Sequence, residues 1–277
     1  SNCECECDAD KPWFFGITLA FAVGLVIVGG IKRIGAATSA IVPVMCGMYL
    51  LAGFWILGVN IEAIPSAFQK IVDGAFTADG LKGGVIGVIV QGFQRASFSN
   101  EAGVGSAAIA HSAASTSEPV REGIVALLEP FIDTIIVCTM TGLVVVVTGV
   151  YESGDTNGVL MTSQAFATVF PWFPIVLSVA VVLFAFSTMI SWSYYGERCV
   201  TWLFGSWATA PYRMFFIFCV FVGSVFELGS ILSFSDLMVL GMALPNIFGA
   251  VMLSGMVKRR LDDYMSDLKN GIFTIHK

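Results

Sequence analysis

The 277-residue chain is 56% hydrophobic and only 12% charged, with a formal net charge of −6 and a mean hydropathy of +0.84. Soluble domains carry about 25% charged residues, so this composition excludes a soluble globular enzyme. The few, scattered basic residues exclude a nucleic-acid partner. What remains is an all-α polytopic membrane protein in the lipid bilayer, whose 29 glycines suit close helix packing.

The chain opens on "SNCECECDADKPW", which lacks the basic, apolar and small-residue regions of a signal peptide. It reads as loop leading into a span, in the carboxy-terminal portion of a longer protein. Cys3, Cys5 and Cys7 offer a soft-metal or disulfide site outside the membrane, but C-x-C-x-C without matching ligands elsewhere favours plain loop.

Apolar runs of about 20 residues predict about seven spans, at 12–31, 36–58, 83–112, 122–149, 168–194, 212–230 and 232–257. Lys32 and Arg33, Arg121, Arg198 and Arg213, and Lys258 to Arg260 fall on one side; Lys11, Lys70 and Lys82 fall on the other. Because cytoplasmic loops carry the excess of Lys and Arg, the first span starts outside and the last ends in the cytoplasm. That divides the chain into a transmembrane core, 1–257, and a cytoplasmic tail, 258–277, expected to hold a short helix followed by a frayed end. Residues 59–82 place Ile61, Ile64, Phe68, Ile71 and Val72 at helical spacing, which suggests a helix at the outer interface. Residues 151–167 read as a loop by composition.

Polar groups inside the spans carry the functional signal, since a charge at a helix centre costs at least ~2.5–3.5 kcal/mol. Glu129, Glu227 and Asp236 lie near span ends, where snorkelling or an interface hydrogen bond suffices. Arg95, Glu101 and Asp133 lie deeper. The third span is also too long: 32 residues from 83 to 114 would reach about 48 Å as one helix, against a core of about 30 Å. Within it "SFSNEAGVGS" places Gly103 and Gly105 after a polar run. Unwound backbone survives at that depth only where it lines protein or water. A discontinuous helix at a ligand site fits this pattern; so does a kinked helix packed through small residues. Asp133 and Thr134 in the fourth span, and Ser187 and Thr188 in the fifth, offer hard oxygens of the kind sodium takes. Serine and threonine in a span also bond a preceding carbonyl. Catalytic readings fail: His111, five residues after Ser106, cannot face it on a helix, and no nucleophile elbow is present.

Taken together, "RASFSNEAGVGSAAIAHSAA", "PVREGIVALLEPFIDTIIVCTMTGLVVVVTG" and "FAFSTMISWSYYGER" resemble the alanine or glycine:cation symporter family, the prokaryotic sodium:alanine symporters, from about residue 12 through "MVKRRLDDY". The resemblance implies a partial leucine-transporter-like inverted-repeat fold, with Na+ as the co-transported ion and alanine or glycine as substrate. It implies that Phe98, Ser99, Asn100, Gly103 and Gly105 face the amino acid. Ser187 and Thr188 match a sodium site, Asp133 and Thr134 a second ion site, and Glu101 either steadies the break or meets the ion. The other half of the site would come from upstream sequence. A proton-coupled carrier using Glu101 or Asp133, a channel, and a structural or receptor role stand as alternatives.

Overall fold

A computed structural model describes residues 12–76, 85–99, 101, 103–153, 158–225 and 228–273. Cys3, Cys5, Cys7 and Glu227 lie outside them. The described residues are helical throughout, with no strand among them. Helices α1 (Pro12–Ile27), α2 (Gly30–Val59), α3 (Ile64–Phe76), α4 (Val85–Ser99) and α5 (Ser106–His111) are followed by α6, which runs from Pro119 to Thr148. Then come α7 (Val159–Ala167), α8 (Phe173–Phe204), α9 (Thr209–Gly223) and α10 (Leu228–Lys269).

Among the described residues, five stretches are long and apolar enough to cross a membrane: Gly30–Val59, Pro119–Thr148, Phe173–Phe204, Ser206–Gly223 and Ile231–Lys269. Helix α1 is apolar but shorter, at 16 residues. The apolar run expected to form the third span is divided between α4 and α5. This is a multi-pass membrane protein. Its large side chains follow suit, since Leu51, Trp55, Ile175, Leu244, Phe248 and Val251 all stand exposed.

Two expectations are corrected. Helix α8 continues to Phe204, so Arg198 sits on a helix, where its Nε donates to the Tyr194 hydroxyl at 2.8 Å. Residues 159–167 form α7 rather than loop, because Ala165 and Phe166 are buried and anchor it. The tail is helical as far as Lys269 and continues α10, a helix of 42 residues in all from Leu228. Hydropathy falls there, but Lys258 and Asp262, and Arg259 and Asp263, are i,i+4 neighbours that support helix in water.

Packing divides the chain into two units, residues 1–52 with 166–234 and residues 53–165 with 235–277. In the first, α1 packs on α9 and α8. Gly16 faces Ser224 and Gly24 faces Ile217, so missing side chains let the backbones approach. Tyr49, Phe166 and Phe173 stack with ring centroids 5.3 and 4.7 Å apart. Gly196 abuts the Tyr212 hydroxyl, which a Cβ would strike. Gly196→Ala is therefore expected to cost about 1–3 kcal/mol, read as a lower unfolding temperature in detergent. Gly47→Ala, with open space around it, serves as the neutral control.

In the second unit, α3 packs on the last part of α6, and Gly53 sits against Met140. Lys70 on α3 reaches Glu152 at 3.4 Å. The Tyr151 hydroxyl first, and then the Lys70 ammonium, hold the Glu152 carboxyl below its usual range.

Candidate functional site

The break expected in the third apolar segment is present: α4 stops at Ser99 and α5 starts at Ser106. Glu101, Gly103 and Gly105 all take left-handed backbone, at φ 53°, 84° and 104°. Glycine enters that region freely, whereas a residue with a Cβ pays about 1–3 kcal/mol, so Glu101 stores strain here. The Val104 amide donates to the Glu101 carbonyl at 3.1 Å, closing one turn inside the break. Asn100 and the Phe98 side chain lie outside the described residues.

Opposite Ser99, α6 changes its winding. Phe131–Cys138 is a π-helix directly after Pro130. Such wide turns are rare and recur at functional sites. Proline has no N–H with which to continue the ladder, which helps explain why the winding changes here. Within this turn the partly buried Asp133 carboxylate accepts hydrogen bonds from the Ser99 hydroxyl and, at 3.4 Å, from Thr134 Oγ1. Cys138 Sγ lies 3.2 Å from Ser99 Oγ. One carboxylate, two hydroxyls and a thiol thus converge on the end of α4, a donor set whose oxygens match the hard ligands of a monovalent cation.

Ser106, first residue of α5, is fully buried, and its Oγ has no hydrogen-bond partner among the described residues. Sequence reasoning passed over it; its place directly after Gly105 was the available signal.

Ion pairs tie both halves of the broken helix. Arg95 on α4 donates to Asp236 on α10, with contacts of 3.0 and 3.4 Å. His111, at the end of α5, lies 2.7 Å from Glu122 through Nδ1 and 3.5 Å from Glu129 through Nε2. The deep arginine is thus matched by an acid 141 positions away, and Glu129 is held by a histidine. Ser187 and Thr188 belong to the first unit. The Ser187 hydroxyl is buried and donates to the Phe184 carbonyl at 2.9 Å, while Thr188 is exposed. No cluster of three or more His, Cys, Asp or Glu suited to a metal occurs among the described residues.

A multi-pass helical protein with one apolar helix interrupted at a carboxylate–hydroxyl cluster has the build of secondary transporters. The sodium:alanine symporter family model matches residues 2–276, and the chain belongs to that family, whose members are transporters, not enzymes, of the cytoplasmic membrane. It is 41% identical to the sodium/alanine symporter AgcS of Methanococcus maripaludis, over 89% of this chain and 55% of that protein. An uncharacterized transporter of Haemophilus influenzae is 39% identical over 91% of this chain and 57% of its own length. A sodium/proton-dependent alanine carrier protein of Bacillus sp. is 30% identical over 92% and 62%. The chain spans about half the length of the first two.

Proposed function

We propose that this chain forms part of a sodium-coupled symporter for a small neutral amino acid, alanine or glycine. The observation that carries this reading is the apposition of the interrupted helix, through Ser99, to Asp133 on the π-helical turn of α6. Asp133, Thr134 and Ser99 supply oxygens to the cation. Asn100, Gly103 and Gly105 present backbone and amide groups to the amino acid, and Phe98 limits its side chain. Ser187 and Thr188 serve a second sodium, for which Ser187 would have to leave the Phe184 carbonyl. Glu101 steadies the break or meets the ion. The arrangement is that of a leucine-transporter-like inverted repeat, with the opposite wall of the site supplied by residues outside this chain. The family membership and the names of its relatives support this reading.

The Bacillus sp. relative is named for sodium and protons together, which gives the proton-coupled alternative its footing, with Glu101 or Asp133 carrying the proton. Uptake of labelled alanine by proteoliposomes containing the full-length transporter, with sodium replaced by choline at constant pH, separates the two. Loss of uptake in choline is the expected result; uptake that persists overturns sodium coupling.

Ser106→Ala should separate binding from stability. Removing an unpaired buried hydroxyl leaves the fold as stable or more so. The same change should raise the KM for alanine about tenfold if that hydroxyl meets the ligand, since one lost hydrogen bond is worth about that much.

A further inference from the structure

We propose that Asn246 of α10 is a positioning residue that sets the shape of the break between α4 and α5. The claim rests on the transport reading above for its consequence, though not for its geometry.

The Asn246 side-chain amide donates to the Gly103 carbonyl at 2.9 Å, across 143 positions of sequence. On the other side of the same peptide unit, the Val104 N–H donates to the Glu101 carbonyl at 3.1 Å. A trans peptide is planar, with its carbonyl and N–H pointing in opposite directions. Fixing both ends therefore fixes the orientation of the whole 103–104 unit. It becomes the rigid point from which the left-handed residues on either side are hung.

Space around the glycines agrees. A Cβ on Gly105 would come within 3.2 Å of Asn246 Cγ and Oδ1, and one on Gly103 within 3.7 Å of Ile247. Asn246 thus lies flat against the break at one glycine and hydrogen-bonds it at the other. It also follows Pro245, which stands inside α10 and cannot donate to the Gly241 carbonyl. Proline at such a place is a common origin of helix kinks. A bend of α10 there moves Asn246, and Asn246 carries the Gly103 carbonyl with it. The Arg95–Asp236 pair fastens α4 to the same helix on the near side of the break. Helix α10 thus meets the interrupted segment at two points, through Asp236 on Arg95 of α4 and through Asn246 on the unwound backbone.

Asn246→Asp keeps the size and removes the donor, whereas Asn246→Gln keeps the amide. In the full-length transporter, Asn246→Asp is expected to raise the KM for alanine about tenfold or more, since it removes one neutral hydrogen bond and sets a carboxylate against the Gly103 carbonyl, with kcat less affected. Asn246→Gln should recover part of the loss. Hydrogen–deuterium exchange of the purified protein tests the geometry without transport. Peptides covering residues 101–106 should exchange faster in Asn246→Asp, while those of α8 stay at the wild-type rate. Unchanged exchange at 101–106 overturns the proposal, as does an Asn246→Asp KM equal to wild type. A wild-type protein without sodium-driven uptake, but with faster exchange in the variant, overturns the transport reading and leaves the positioning role standing. Gly105→Ala, which presses on Asn246 from the other side, should reproduce the exchange change should Asn246→Asp fail to fold.

Discussion

Asp133→Asn is expected to reduce sodium-driven alanine uptake about thirtyfold or more while leaving the protein folded. The replacement keeps the shape of the side chain and a hydrogen-bonding oxygen for Ser99 and Thr134, the two hydroxyls that bond Asp133. What it removes is the negative charge. Breaking a partly desolvated charge pair costs about 2–5 kcal/mol, and even the low end of that range is well over tenfold in a dissociation constant. Insertion scales charge about 2.5–3.5 kcal/mol for a carboxylate at the helix centre, so the folded state loses nothing by the change. The measurement is the sodium dependence of uptake in proteoliposomes. The apparent sodium KM should rise steeply, with alanine KM following through the mutual coupling of the two ligands. Wild-type sodium dependence in Asp133→Asn would remove Asp133 from the cation site.

The second large effect concerns stability and lies in the other unit. Arg213 on α9 meets Glu197 on α8 as a fork, Nε to Oε2 at 2.7 Å and Nη2 to Oε1 at 2.9 Å. Its third arm reaches the Val28 carbonyl at 3.3 Å, just past the end of α1. Bidentate Arg–carboxylate pairs are the stronger kind of ion pair. The side chains are only 23% and 20% exposed, so solvent screens them weakly. Glu197→Ala would leave the guanidinium unpaired, which costs about 3–5 kcal/mol when fully buried; the remaining exposure places the expected loss near the lower end. Unfolding in detergent followed by fluorescence should show it. Glu197→Leu combined with Arg213→Met should recover most of the loss, since an apolar pair of similar volume avoids the stranded charge. If the single and double variants melt together, the pair is not what fastens α1, α8 and α9.

The parts of this architecture that hydropathy controls were readable in the chain itself. Each of the seven apolar runs carries helix, because a run of that length has to satisfy its backbone internally in lipid. The break was readable for the same reason, from a segment too long to be one span and two glycines where the backbone turns left-handed. Polarity changes within α10 without ending it. The residues after 257 became hydrophilic, but hydrogen bonding in α10 is indifferent to what surrounds it, so the helix ran on to Lys269. The partners of the polar groups around the break were beyond reach. Asp236 for Arg95, Asn246 for Gly103, and Asp133 for Ser99 stand 34 to 143 positions apart. Nothing periodic within one element encodes such meetings. The π-turn at Phe131–Cys138 was likewise invisible, since it differs from α-helix by one residue of winding and leaves apolar spacing almost intact. Function came from the specific order of residues around the break, which spacing alone could not name.

Cys138 offers the most direct test of the site, because its exposed thiol lies 3.2 Å from Ser99 Oγ, between the broken helix and the π-turn. With the remaining cysteines replaced by alanine in the full-length transporter, its alkylation rate reports occupancy at the break. Sodium and alanine together should slow labelling several-fold, sodium alone less, and choline with alanine not at all. Labelling at one rate under all three conditions would contradict a cation and amino-acid site at Ser99 and Asp133.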